Sequence, residues 1–362
     1  MNRPSHAATQ GTKPAAAPSP ATHSPGFSRR SWLLGAAACG VLAFRPRTAW
    51  GQDLPEAAIA PDLPRAAQAA FTVQDFDWLD SSRQRAVPAR LYLPESMARV
   101  PLVVFSHGIG GSREGYSYLG RHWASHGLAS LHLQHVGSDR QIWRGSALGL
   151  PGRLAAAAQD SEAVARVADV SYGLDQIARE AGVSPRLDLD RIAAAGHSYG
   201  ANTALLAVGA TVERQGQAVR LIDARVRAAV LLSAPPFYGE QDLRRVLAPV
   251  QVPSLHVTTT EDTIRVPGYF SDAADRIALF EAMGHPNKTL AVFEGGSHSI
   301  FTDRRSGSAE LNERVKQATA SLTLAFLRAS LLGERQALQQ WPQQHQVLLS
   351  RFVAPSVIAA AA

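Results

Sequence analysis

Polar and apolar positions alternate along "FTVQDFDW", from Phe71, and again along "RAVPARLYLP", from Arg85. That period of two predicts a pair of half-buried strands joined as an antiparallel hairpin. "PLVVFSH" (101–107) drops the alternation and is apolar throughout, as a strand covered on both faces must be. The same texture returns at "LASLHLQ" (128–134), "RIAAAG" (191–196), "RAAVLLSAP" (227–235) and "PSLHVTTT" (253–260), and more briefly at Thr289–Phe293. Between these runs the apolar spacing lengthens to that of helices. Helices are expected at Gly115–His126, Leu154–Glu180 as one long element, Ala201–Ala210, Asp272–Met283 and Ala309–Leu331. Strands that alternate with helices predict an α/β fold, with a mostly parallel central sheet, helices on both faces and the hairpin at its start. There is no internal repeat. The domain is expected over 71–332. Residues 52–70, with prolines at 55, 61 and 64, read as a linker. The segment 333–362, with "QQWPQQHQ" and Pro342, reads as a C-terminal tail holding a loosely packed, interrupted helix.

The first 51 residues have a different character. Residues 1–27 are rich in Ala, Pro, Ser and Thr, a composition that cannot bury a core. Arg29 and Arg30 then precede an apolar run from Trp32 to Phe44. That run is too short to span a bilayer as a helix and suits the core of a signal peptide. Ala49 and Gly51 put small residues where a signal peptidase reads. The segment 1–51 is similar to a twin-arginine signal, which implies passage through the Tat translocase, a periplasmic or secreted product, and no stable membrane span after cleavage. Trp32 and Leu34 depart from the commonest residues of that pattern.

Charge fits the same division. Of 36 basic groups in the chain, six (Arg3, Lys13, Arg29, Arg30, Arg45, Arg47) lie in 1–51, where there is no acid. Without that segment the remaining 30 basic groups balance the 30 acidic ones. The net charge of +6 therefore belongs to the N-terminal segment, and the rest of the chain has no electrostatic footprint for a nucleic acid. Cys39 is the only cysteine and lies in the apolar run, so the processed chain has no disulfide framework and depends on its core.

Chemistry concentrates at four places. "GHSYG" (196–200) follows the strand "RIAAA" and opens a helix, the strand–turn–helix context of a nucleophile elbow, with Ser198 as nucleophile. A serine hydroxyl needs a base, and the base needs an orienting acid. "FEGGSHSIF" puts His298 in a Gly-rich loop after one strand, and "SLHVTTTEDTI" puts Asp262 just past the strand before it. Glu261 is the rival acid and Asp272 a remoter one. An oxyanion hole needs two N–H donors. The backbone of Tyr199, at the start of the elbow helix, is one candidate. "HGIGGSREGY" (107–116) supplies the other, with Ile109 preferred and Gly108 next.

From about Phe71 to Leu331 the chain resembles α/β-hydrolases of the dienelactone-hydrolase-like and platelet-activating-factor acetylhydrolase-like group. "FSHGIGGSREGY", "GHSYG", "EDT" and "GGSH" carry the resemblance. It implies hydrolysis of a carboxylic ester through an acyl-enzyme, without metal or organic cofactor. Serine stands where dienelactone hydrolases proper use cysteine. A lipid acetyl ester, a small xenobiotic ester and a polyester end group are all open as substrates. Acyl transfer or amide hydrolysis on the same residues is the alternative activity, and a non-catalytic binding protein on this fold is a third.

The other candidates weigh less. His122 and His126 are four apart on an expected helix, which is metal-ligand spacing, but His132 and His135 lie on another element and no cysteine joins them. Ordinary histidines are the expectation, and no metal is expected. His197 is expected to point away from Ser198, and His107 to brace the loop that follows it. Tyr116, Trp143, Phe237 and Tyr238 are candidates to line an apolar substrate pocket, with plain core packing as the alternative. Arg244–Arg245 and Arg304–Arg305 read as solvated.

Overall fold

The computed structural model describes residues 69–266, 269–304 and 306–355. The expected signal segment and all but the last two residues of the expected linker lie outside them. In chain order the elements are β1 (Phe71–Asp80), β2 (Arg85–Pro94), β3 (Val100–Ser106), α1 (Ser117–Ser125), β4 (Ala129–Leu133), α2 (Leu150–Ala157), α3 (Asp160–Arg179), β5 (Leu187–His197), α4 (Tyr199–Ala207), β6 (Val212–Arg214) and β7 (Gln217–Val219). They continue with β8 (Val226–Leu232), α5 (Leu243–Leu247), β9 (Ser254–Glu261), β10 (Ile264–Val266), β11 (Tyr269–Ser271), α6 (Ala273–Ala282), β12 (Lys288–Ser297), α7 (Ala309–Leu332), α8 (Gln336–Gln344) and β13 (Leu349–Val353).

Nine strands form one sheet in the order β1-β2-β4-β3-β5-β8-β9-β12-β13. The run from β4 to β12 is parallel, whereas β1, β2 and β13 join antiparallel at the edges. The expected hairpin is present, with Phe71 opposite Pro94 and Asp80 opposite Arg85. Two apolar cores flank the sheet, and the period-two geometry of strands sorts residues between them. Leu102 and Val104 of β3 join α3 and α4 in one core; Val103 and Phe105 join α1 and α7 in the other. Every residue of β3 is buried, which is why its sequence is apolar without alternation. This is the α/β-hydrolase fold. No helix among the described residues is long and apolar enough to cross a membrane.

Two expectations change. The single helix expected over Leu154–Glu180 is two, because Gln159 adopts an extended backbone (φ −67°, ψ 151°) and α3 starts afresh after it. Asp160 and Glu162 fall in the first turn of α3, where the positive end of the helix dipole favours carboxylates. No glycine or proline marks the break, so the periodicity passes over it. The segment after Leu332 is not loosely packed. Trp341 of α8 is only 2% exposed, its ring meets Phe293 and Phe352, and its Nε1–H donates to Ser321 Oγ at 2.9 Å. β13 then pairs with β12, Leu290 opposite Val353, and completes the sheet. The short hairpins β6–β7 and β10–β11 have no counterpart in the sequence reading.

Candidate active site

β5 ends at His197, and α4 begins at Tyr199. Ser198 between them has φ 54° and ψ −125°, a left-handed region that a non-glycine residue enters only under constraint. Its N–H is fixed to Leu232 O at 2.8 Å. The flanking glycines are steric requirements. A Cβ on Gly196 would collide with the backbone of Gly200, and one on Gly200 with Ser106 O. The α4 backbone therefore crosses directly over β3 and β5, and Ser198 stands at the carboxyl end of the sheet.

β12 runs on through Gly295 (φ 68°) and Gly296 (φ 88°) to a single 3-10 turn, His298–Phe301. These two positive-φ residues swing His298 back over the sheet. His298 Nε2 lies 2.8 Å from Ser198 Oγ, and His298 Nδ1 lies 2.7 Å from Asp262 Oδ1. A carboxylate only accepts, so Nδ1 carries the proton and the Nε2 lone pair accepts from the serine hydroxyl. Asp262 is fully buried just beyond β9. Its other oxygen accepts from Thr258 Oγ1 at 2.7 Å and faces Arg276 Nε at 3.4 Å. Burial alone would raise its pKa. The hydrogen bond and charge of His298, with the charge of Arg276, outweigh that and hold the carboxyl well below its ordinary value. The rival acids are elsewhere: Glu261 is exposed, and Asp272 caps α6 by accepting from Ala274 N.

The loop after β3 meets this chain from the other side. Gly108 packs so close to the serine that a Cβ would lie 3.3 Å from Ser198 Cβ. Its N–H donates to Tyr116 Oη at 3.3 Å. Gly110 N–H donates to Ser138 O at 2.8 Å and Gly111 N–H to Gly108 O at 3.0 Å. Among the described residues the N–H groups of Ile109 and Tyr199 have no such partner. His107 braces the loop as expected: Nδ1–H donates to Gly108 O at 2.7 Å, and Nε2 accepts from His135 N at 3.0 Å.

Arg166 was not singled out by the sequence reading. It is fully buried in α3 and binds three elements at once. Nη2 donates to His107 O, Nη1 to Ser138 Oγ at 2.8 Å and Nε to Thr203 Oγ1 of α4 at 2.9 Å. The guanidinium lies 4.5 Å from the centroid of the Tyr199 ring. It pins the loop after β3 to the elbow helix. A signal existed: Arg166 stands on the face of α3 set by Val170 and Ile177, where an unpaired charge would be intolerable.

The expected pocket aromatics part company. Trp143 is 45% exposed and lies across the loop, its Nε1–H donating to Gly110 O at 2.8 Å. Tyr238 is half-buried, donates to Ser271 Oγ at 3.0 Å and meets the Tyr269 ring edge-on. Phe237 is buried in the core on the α3 face. Tyr116 is also buried, with its hydroxyl 2.8 Å from His197 Nδ1. The remaining histidines serve different partners. The rings of His122 on α1 and His126 just past its end meet at a tilt of 39°, His132 Nδ1 donates to Gly115 O, and His135 lies between Asp169 and Ser106. Among the described residues no group of three potential ligands gathers for a metal.

Residues 81–141 match the family model described as platelet-activating factor acetylhydrolase, isoform II. That stretch carries β2, β3, the loop with Ile109, α1 and β4, and stops short of Ser198, Asp262 and His298. No curated protein matches the chain. The family match supports a hydrolase of the esterase or lipase type.

Proposed function

We propose that the protein is a serine esterase that works through an acyl-enzyme. The observation that carries the reading is the hydrogen-bonded order Ser198–His298–Asp262, at 2.8 Å and 2.7 Å. Ser198 Oγ attacks the ester carbonyl while His298 Nε2 takes its proton. The imidazolium so formed is matched by the buried Asp262 carboxylate. The developing oxyanion is held by the N–H groups of Tyr199 and Ile109, which have no backbone partner among the described residues. His298 returns the proton to the departing alcohol. It then takes one from water, whose oxygen attacks the acyl carbon and releases the acid and Ser198. Trp143, exposed beside the loop, offers the substrate an apolar contact.

Ser198→Ala should abolish turnover of a short-chain p-nitrophenyl ester and leave the melting temperature near wild type. Turnover by the folded variant at the wild-type rate would end the reading. Export by the twin-arginine route is part of the proposal on the strength of Arg29–Arg30 and the apolar run after them. Changing both arginines to lysine should leave the protein in the cytoplasm, and unchanged periplasmic delivery would remove that part.

A further inference from the structure

Tyr116 and His197 sit between the two halves of the site, and their hydrogen bonds can be given directions. His298 O is a carbonyl and only accepts. It lies 2.9 Å from His197 Nε2, so that nitrogen carries the proton. His197 is 3% exposed, and burial, followed by the nearby His298, pushes its pKa down to about 3, so the ring is neutral. A neutral imidazole with its proton on Nε2 has a lone pair on Nδ1. The Tyr116 hydroxyl, 2.8 Å away, must therefore donate to it. The phenol oxygen is then left as the acceptor for Gly108 N–H at 3.3 Å. One chain with a single polarity results: Gly108 N–H to Tyr116 O–H to His197 Nδ1, and His197 Nε2–H to His298 O.

Tyr116 is held for this place. It has φ 58°, at the start of α1, and its ring packs against Phe105 and His197 inside the core. His197 in turn contacts the rings of His298 and Phe301, both in the 3-10 turn.

We propose that Tyr116 and His197 are positioning residues that lock the oxyanion loop and the loop of the general base to one another. The chain does two things. It occupies Gly108 N–H, so that the neighbouring Ile109 N–H is the one left to face an oxyanion. It also holds the backbone of His298 from its carbonyl side, while Asp262 holds the ring. Both effects bear on the transition state more than on the ground state, because the oxyanion and the imidazolium exist only there. The proposal rests on the serine-esterase reading.

The test is steady-state kinetics of Tyr116→Phe, which keeps the ring and removes only the hydroxyl. kcat for a short-chain ester should fall about tenfold, the size of one lost hydrogen bond in the transition state, with KM within about twofold. Two substitutions divide the histidine. His197→Gln keeps an N–H for His298 O, and His197→Asn keeps an acceptor for Tyr116. Either should lower kcat. The double variant Tyr116→Phe/His197→Gln should lose no more than the worse of its two singles, because both cut the same link. Losses that multiply, or a KM that rises with kcat unchanged, would overturn the chain. If Tyr116→Phe does not fold, the split between His197→Gln and His197→Asn decides alone, and wild-type kcat in both overturns it. Ser198→Ala run in parallel separates the two levels. Activity in Ser198→Ala sinks the esterase reading, whereas an inert Ser198→Ala beside a fully active Tyr116→Phe sinks only the chain.

Discussion

Asp262→Asn is the substitution whose cost can be followed most directly from distances. The His298 imidazolium of the transition state would lie 2.7 Å from Asp262 Oδ1. At an effective dielectric of about 20, two unit charges that close attract by about 6 kcal/mol. Asparagine removes that charge, and the surroundings dictate how it would then sit. The second oxygen of Asp262 faces two donors, the Thr258 hydroxyl at 2.7 Å and Arg276 Nε at 3.4 Å. Those donors claim the amide oxygen, so the amide NH2 is turned toward His298 Nδ1. Facing a donor, Nδ1 must give up its proton and become the acceptor. Nε2 then carries the proton, and Ser198 has no base. A fall in kcat of about a thousandfold to ten-thousandfold follows, part of the Coulomb gain being offset by the desolvation of Asp262 itself. The assay is hydrolysis of a short-chain p-nitrophenyl ester, with circular dichroism to establish folding. A folded variant within tenfold of the wild-type kcat would refute the assigned orientation of His298.

Two further outcomes can be measured. Truncation after Gly333 removes α8 and β13, exposing the edge of β12 between Leu290 and Phe293 and the apolar surface that Trp341 covers. Loss of a buried tryptophan alone costs about 3–5 kcal/mol against a total stability of about 5–15 kcal/mol, so the truncated chain should aggregate; a soluble, active product would contradict this placement of the tail. Acid should destabilise the fold through its buried histidines. Burial pushes the pKa of His132 down to about 4, and that of His256 and His197 to about 3, from 6.5. Below pH 6.5 the unfolded chain takes up protons that the folded chain refuses, so stability is fully present above 6.5 and declines as pH falls toward 4. Each such histidine contributes a slope of at most about 1.4 kcal/mol per pH unit. The urea midpoint should drop steeply between pH 6.5 and 5, and less so in His256→Gln; a midpoint flat across that range would be incompatible with neutral, buried imidazoles.

Much of the layout was legible from local pattern. The hairpin from Phe71, the fully apolar β3 and the glycines on either side of Ser198 are each dictated within a few residues, by the period of a strand, by burial on two faces and by the space that a crossing helix leaves. The sequence also grouped Ser198 with His298 and Asp262 by their places past the ends of different strands, and the fold brings those three into hydrogen-bond contact. It could not see the break at Gln159, which depends on where α3 packs and not on any breaker residue. It set the tail apart, because Pro342 and a run of glutamines look like the end of a domain. The pairing of β13 with β12 joins residues about 60 positions apart, and no local pattern reports such a partner.

The sequence by itself determined the fold class, the strand-to-helix turn that strains Ser198, and the order of the three polar residues, since these follow from periodicity and from the need for small neighbours. Only the tertiary structure decided what the buried polar groups do. Tyr116 and Phe237 read as pocket aromatics, yet one is tied to His197 and the other lies in the core. Arg166 read as one residue of a helix, yet it fastens the loop after β3 to the helix that follows Ser198. The reason is physical. A backbone element is chosen by neighbours along the chain. A buried donor or acceptor must find its partner across the fold, and which partner that is depends on how strands far apart in sequence come to lie side by side.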